Sequence, residues 1–280
     1  MFSDVLLTVD FDRTLTDPDS AVPQRNIDAI RYFMENGGKF TVNTGRSLNT
    51  FRGQMEVVPT NAPLLLFNGS AAYFEGKYTY QRTIDLNMWD VLQQMAQEFP
   101  ELNLEVQGLD THYLINKKDD YVQMYNGMGW PYKVANYGDD LGPFIKFSFF
   151  GKPHYNKVGT MFQATEEELA LMDRCHARIE KLWGDKVVIF RAAPRIIDVH
   201  TKGISKIRAA RELQQELGRK ILVCVGDAEN DIPMLDGADY AFCPADGVVA
   251  DRYPTVCNCA DGAVADVIYE KIPEILANQP

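Results

Sequence analysis

The feature that most constrains this chain is a short, predominantly apolar run that ends in acid, and it occurs twice in the sequence. Val5–Val9 leads into Asp10-Phe11-Asp12, and Ile221–Val225 leads into Gly226-Asp227. Five-residue runs without polar alternation, the first broken only by Thr8, read as strands buried on both faces, as in parallel sheets covered by helices. Helix and strand patterns alternate after the first run. A helix is expected over 23–36: Pro23 suits its first turn, Ile27, Ile30, Phe33 and Met34 share a face, and Gly37 suits its stop. A strand at 39–43, a helix at 47–57 and a strand at 63–67 continue the series. Near the other end come a helix at 204–217, the strand at 221–225 and a last helix over 263–277. This alternation implies an α/β fold, a Rossmann-like doubly wound parallel sheet.

The middle of the chain is patterned differently. A helix at 86–99 precedes two short strands at 102–106 and 112–116, a helix at 119–127 and a strand at 145–150. Thr165 and Glu168 form a capping box that opens a helix to about 183. Strands at 187–191 and 195–199 follow. Neighbouring strands with short turns predict an antiparallel sheet with helices on one face. The expected organisation is a core of residues 1–82 plus 200–280, with an α+β domain of residues 83–199 inserted. The crossings are expected near 80–84 and 192–200. A length of 280 residues suits two bodies.

Composition excludes several partners. The chain has 28 Lys+Arg against 39 Asp+Glu, a net charge of −11, and no Lys/Arg-rich block. Nucleic acid and anionic membranes are therefore not expected partners. The same charge looks unfavourable for an anionic ligand. No stretch approaches about 18 apolar residues, so no membrane-spanning helix is expected. The first segment lacks the basic start and long apolar centre of a signal peptide. Five cysteines, with no Cys-x-x-Cys, read as reduced thiols and a cytoplasmic location. Cys257 and Cys259 read as small residues near a strand rather than the start of a soft-metal site. His112 and His154 have no partners in sequence and are expected to pack or face solvent. Tyr113, Tyr121, Tyr125, Trp130 and Tyr132 could close over a ligand or form a small core. A monomer or homodimer is expected.

Four groups of residues carry chemistry. Asp10-Phe11-Asp12-Arg13-Thr14 lies at the end of the first strand, where ligands of such sheets bind. One carboxylate there can attack phosphorus while its neighbour exchanges a proton with the leaving oxygen. Alone, the motif could equally be a solvated turn. Thr44-Gly45-Arg46 follows the second strand. Its hydroxyl and backbone amides suit a phosphate, and it is also an ordinary helix N-cap. Gly226-Asp227-Ala228-Glu229-Asn230-Asp231 follows the strand 221–225. Carboxylates clustered there repel one another unless a cation sits among them, and hard oxygen ligands favour Mg²⁺. Lys206 lies one turn into the helix after Lys202-Gly203-Ile204-Ser205 and could project to a phosphate. Lys202 is its competitor and reads as solvated.

Taken together, these motifs in this order resemble the haloacid dehalogenase-like (HAD) phosphatase superfamily. The large insert is similar to the type C2B cap of the type IIB, Cof-like branch. Lys202-Gly203-Ile204-Ser205-Lys206, Gly226-Asp227-x-x-Asn230-Asp231 and Phe67-Asn68-Gly69-Ser70 are close to that branch's wording. The resemblance covers essentially the whole chain and implies a Mg²⁺-dependent hydrolase of a small phosphorylated metabolite, with a sugar phosphate foremost. It implies that Asp10 is the nucleophile, forming an aspartyl-phosphate, and that Asp12 is general acid and then base. Thr44 and Gly45 would hold the phosphoryl group, and Lys206 would neutralise it. Asp10, the Asp12 carbonyl and Asp227 would hold the metal, with Asp231 acting through water and Asn230 supporting the phosphate or Lys206. A phosphotransferase or mutase using the same intermediate is an alternative, as is a non-catalytic phosphometabolite-binding protein. Two positions depart from the pattern. Arg13 stands where the group usually has Gly, and Asp198, followed by His200, lies near an acid that is often Glu. Neither Asp198 nor His200 is assigned catalysis; a surface or hinge role is expected for the histidine.

Overall fold

The computed structural model describes residues 1–115, 118–152 and 164–279. His154 lies outside them, as does the end of the strand expected at 112–116. In chain order the first stretch is β1 (Val5–Val9), α1 (Gln24–Glu35), β2 (Lys39–Val42), α2 (Leu48–Phe51), β3 (Leu64–Leu66), β4 (Ala71–Phe74) and β5 (Lys77–Gln81). The middle comprises α3 (Met88–Glu98), β6 (Asn103–Gln107), β7 (His112–Ile115), α4 (Asp119–Gly127), β8 (Lys133–Val134), β9 (Lys146–Phe150), α5 (Glu166–Trp183), β10 (Val187–Ala193) and β11 (Ile196–Thr201). The last stretch is α6 (Lys206–Glu216), β12 (Ile221–Val225), α7 (Ile232–Asp236), β13 (Tyr240–Pro244), β14 (Thr255–Val256), α8 (Ala263–Asp266) and α9 (Ile272–Ala277).

Two compact units emerge. One comprises Met1–Gly45, Arg52–Tyr80 and Ser205–Pro280; the other comprises Arg46–Phe51 and Gln81–Ile204. The first holds a parallel sheet in the order β14-β13-β12-β1-β2. Asn43 extends it through a parallel bridge to Leu65. Every residue of β1 and β12 is buried, so both faces of these central strands are covered, as their apolar runs require. On one side Leu6, Leu222 and Cys224 pack with Ala209, Ala210 and Leu213 of α6. The Rossmann-like expectation holds because non-alternating apolar strands are stable only between helical layers.

The second unit holds a six-stranded sheet in the order β10-β11-β9-β6-β7-β8, antiparallel except between β7 and β8. Leu104, Val106, Phe147, Phe149, Ile197 and Val199 pack one face against Val91, Leu92 and Met95 of α3 and Met172, Cys175 and Ile179 of α5. The Thr165–Glu168 capping box closes the start of α5 as the sequence indicates. The other face carries Glu105, Gln107, Lys146, Ser148, Asp198 and His200, all buried. Tyr121 and Tyr125 of α4 form a small core with Leu114, and Trp130 and Tyr132 pack against it.

The structure corrects the sequence reading at three places. The helix expected at 47–57 is a single turn, α2, continued by a 3-10 turn over 52–54. Arg46–Phe51 group with the second unit, where Ser47 bonds His112 at 2.7 Å and the Asn49 amide donates to the Pro131 carbonyl at 2.8 Å, while the chain from Arg52 belongs to the first. His200 is a fully buried strand residue, not a surface or hinge one, and burial lowers its ring to about 3. His112 is hydrogen-bonded through both ring nitrogens rather than merely packed.

Candidate active site

β1 and β12 lie side by side, in register from Val5 with Ile221 to Val9 with Val225. The residues that follow each strand therefore emerge at the same sheet edge, the crevice end of such folds. This places Asp10 beside Asp227. The Asp10 amide also donates to the Val225 carbonyl at 2.9 Å, so its backbone is tied to the neighbouring strand. Beyond Asp10 the chain turns sharply. Asp12 is extended, Arg13 is left-handed (φ 62°, ψ 8°), and the Thr16 amide closes the turn on the Phe11 carbonyl at 3.0 Å. A left-handed Arg is strained where Gly would not be.

Asp10, Asp227 and Asp231 each present a carboxylate oxygen within 4.8 Å of the others. They are 7%, 3% and 0% exposed. Lys206, 2% exposed, donates to Asp10 Oδ1 at 2.5 Å and to Asp231 Oδ1 at 2.7 Å. Asp231 Oδ2 accepts the Asp227 and Ala228 amides at 3.1 and 3.2 Å. Both Asp231 oxygens are thus engaged by the protein, whereas Asp227 meets a single hydroxyl, Thr14, which donates to its Oδ1 at 2.9 Å.

The charges show what the cluster lacks. Burial pushes the Asp10 carboxyl well above the usual range. Lys206 opposes that, but Asp231, Asp227 and Asp12 add to it. Burial and the Asp231 charge push Asp227 up to about 7. Burial alone would lower the Lys206 ammonium, yet Asp10 and Asp231 outweigh it and raise it. One ammonium cannot offset three buried carboxylates, so the donor set suits a hard divalent cation.

The remaining expected residues also belong to the first unit. Thr44 is buried just past β2; its amide donates to the Leu65 carbonyl and its carbonyl accepts the Asn68 amide, both at 2.9 Å. A Cβ on Gly45 would meet Asn68 Oδ1 at 3.0 Å, so this position favours glycine. Asn230 is half-exposed on the short turn 229–231, and Lys206 bonds Asp10 and Asp231 from the first turn of α6. Asp12 is half-exposed and acts on Asp10 through its charge; its carboxylate is not among the three clustered ones. Lys202 bonds the Gly184 carbonyl at 2.5 Å on the surface of the second unit. Asp198 also lies in that unit, paired with Lys146 at 2.8 Å and with Ser148 at 2.7 Å.

Two supporting residues escaped the sequence reading. Thr14 orients Asp227; its place in the Asp-x-Asp-x-Thr motif was the available signal. Asn43, fully buried, donates to the Lys206 carbonyl at 2.9 Å and so ties the end of β2 to the start of α6. Its partner lies 163 residues away, and nothing local marks it.

A parallel sheet bearing acids at the tips of adjacent strands, with a buried lysine between them, defines a class of hydrolytic site. The match to known families agrees: residues 7–250 fit the model of the haloacid dehalogenase-like hydrolases, and the chain belongs to that family. A curated relative is a 5-amino-6-(5-phospho-D-ribitylamino)uracil phosphatase of Bacillus subtilis. It is 19% identical over 274 residues, covering 92% of this chain and 94% of that protein. Among solved structures, a haloacid dehalogenase-like hydrolase from B. subtilis superposes with a TM-score of 0.77 at 17% identity, covering 95% of this chain and 99% of that one. An HAD subclass IIB sugar phosphatase superposes with a TM-score of 0.73 at 16% identity, covering 97% and 98%. These structural likenesses establish the fold, including the inserted domain.

Proposed function

We propose that this hydrolase is a Mg²⁺-dependent phosphatase of a small phosphorylated metabolite, with a sugar or polyol phosphate as the foremost substrate class. The observation that carries the reading is the cluster of Asp10, Asp227 and Asp231 around Lys206 at one sheet edge. A binding protein has no need of a buried, charge-strained carboxylate at Asp10. The relatives' activities, on a phosphoribityl compound and on sugar phosphates, support the substrate class.

In this reading Asp10 attacks phosphorus, and the bond to the leaving oxygen breaks as Asp12 gives that oxygen a proton. Asp12 then takes a proton from water, whose oxygen attacks the phosphorus and frees Asp10 and inorganic phosphate. Thr44 and the Gly45 backbone hold the phosphoryl oxygens. Lys206 neutralises charge beside the nucleophile, and Asn230 supports it from the turn 229–231. Asp10, the Asp12 carbonyl and Asp227 would hold Mg²⁺, and Asp231, both of whose oxygens already accept protein donors, would act through water. Bound there, the ion supplies charge stabilisation to the transferring group. The unit containing residues 81–204 is the cap that selects the leaving group.

The test is hydrolysis of p-nitrophenyl phosphate. Asp10→Asn is expected to lower turnover by about a thousandfold or more. EDTA is expected to abolish it reversibly, with Mg²⁺ restoring it. Full activity of Asp10→Asn would sink the mechanism.

A further inference from the structure

Asn43 lies just past β2, and stability does not account for its side chain. The residue is fully buried and its backbone is built into the sheet. Its amide donates to the Val9 carbonyl at 2.8 Å, and it forms the parallel bridge to Leu65. The side-chain amide donates to the Lys206 carbonyl at 2.9 Å and meets Met234 Sδ at 3.6 Å. Its Oδ1 is buried and has no hydrogen-bond partner among the described residues. The Lys206 carbonyl belongs to the first turn of α6, where the helix ladder already supplies a donor. A leucine has the same branching and would fill this place without an unmet buried oxygen, which carries a desolvation penalty. The asparagine therefore calls for another explanation.

The amide closes a ring of contacts around Asp10. Val9, which accepts the Asn43 backbone amide, is covalently joined to Asp10. Asp10 Oδ1 accepts the Lys206 ammonium at 2.5 Å, and the Lys206 carbonyl accepts the Asn43 side chain. The ring runs from Asn43 through Val9, Asp10 and Lys206 back to Asn43, and every member belongs to the first unit. Lysine carries its charge on a long, flexible stem, so the height of its backbone decides which carboxylates the ammonium reaches. Here it reaches two, because Asp231 Oδ1 accepts the same ammonium at 2.7 Å. The turn of α6 that carries Lys206 is thus fixed to the strand tips that flank Asp10, and not by its own helix alone. We propose that Asn43 is a positioning residue for Lys206. By holding the first turn of α6 against the end of β2, it places the ammonium between Asp10 and Asp231. Its value to the reaction rests on the reading of Asp10 as nucleophile and Lys206 as the group that neutralises charge beside it.

The test compares wild type with Asn43→Leu in crystal structures, in thermal melting and in hydrolysis of p-nitrophenyl phosphate, with Asn43→Ala in parallel. In Asn43→Leu the Lys206 ammonium is expected to move by about 1 Å and to lose its bond to Asp10 or Asp231, and kcat to fall about tenfold or more. KM should stay within about threefold, because the ammonium acts on charge that builds up as the phosphoryl group is transferred. Asn43→Leu should melt at or above wild type, since it removes the unmet oxygen. A merely structural asparagine gives the reverse, lowered melting with kcat unchanged, and that result overturns the proposal. So does a lysine that keeps both bonds, or a rise in KM alone. If Asn43→Leu does not fold, Asn43→Ala carries the comparison through kcat and the two lysine distances, its melting being lowered by the cavity it leaves. A wild type that hydrolyses no ester would sink the phosphatase reading alone. The crystal distances then decide: a displaced ammonium supports the placing by Asn43, and unchanged contacts overturn it.

Discussion

Single side chains in this protein are held in protonation states that only their surroundings explain. His200 is the cleanest case. It is fully buried, edge-on to Phe190 with ring centroids 5.5 Å apart, and lowered to about 3 by burial, with Lys146 adding and Asp198 opposing. An ordinary histidine titrates near 6.5, so below about pH 6.5 the unfolded chain binds a proton that the folded chain refuses. The stability tied to the neutral ring is whole above that pH and is lost as pH falls from about 6.5 towards about 3. Urea denaturation at pH 7.5 and pH 5 is expected to show wild type losing about 2 kcal/mol more than His200→Gln. Equal losses would remove His200 from the acid response. Asp10 and Asp227 carry the opposite sign: their raised carboxyls are least favourable when ionised, and protonation or a cation relieves them.

Among elements, the bend from β3 to β4 shows how backbone geometry builds the site. Phe67, Asn68 and Gly69 are all left-handed, with φ of 53°, 56° and 89°. This carries the Asn68 amide onto the Thr44 carbonyl at 2.9 Å. It also brings Gly69 against α6, where a Cβ would lie 2.7 Å from Ala209 Cβ and 2.8 Å from the Ser205 carbonyl oxygen. Asn-Gly is a turn-forming pair, and the structure shows why glycine is required at residue 69. Gly69→Ala is expected to destabilise the fold by about 2 kcal/mol or more, from a left-handed alanine plus a backbone clash. Thermal melting checks this, and a variant as stable as wild type would contradict the geometry. Turn-forming residues were legible here because they act locally. The one-turn length of α2 was not, because it depends on Ser47 and Asn49 finding partners 65 and 82 residues away.

For the whole molecule, a net charge of −11 misleads about ligands. It argues fairly against nucleic acid, but under the proposed function a phosphate would meet the cluster at the ends of β1 and β12. That cluster holds three carboxylates and one ammonium in a buried space. Without a divalent cation it should repel phosphate, and with one it should attract it. Inorganic phosphate binding, followed by calorimetry, is expected to weaken at least about a hundredfold when EDTA replaces Mg²⁺, as removal of a close divalent charge implies. Equal binding in both media would mean that phosphate sits elsewhere. Among the described residues no helix is long and apolar enough to cross a membrane, in line with the hydropathy pattern.

By itself the sequence determined the strand–helix alternation, the Rossmann-like core, the inserted α+β segment, and the placing of Asp10, Thr44, Lys206 and Asp227 beside the ends of strands. These follow from short-range periodicity and from the rule that ligands meet parallel sheets at the ends of their strands. Only the tertiary structure decided how those residues are shared. Lys206 is split between Asp10 and Asp231, Thr14 turns to Asp227, Asn43 ties to α6, and Ser47 joins a histidine 65 residues further along the chain. The physical reason is the same in each case. A buried polar group must find a partner wherever packing brings one close, and that partner's place along the chain leaves no local trace.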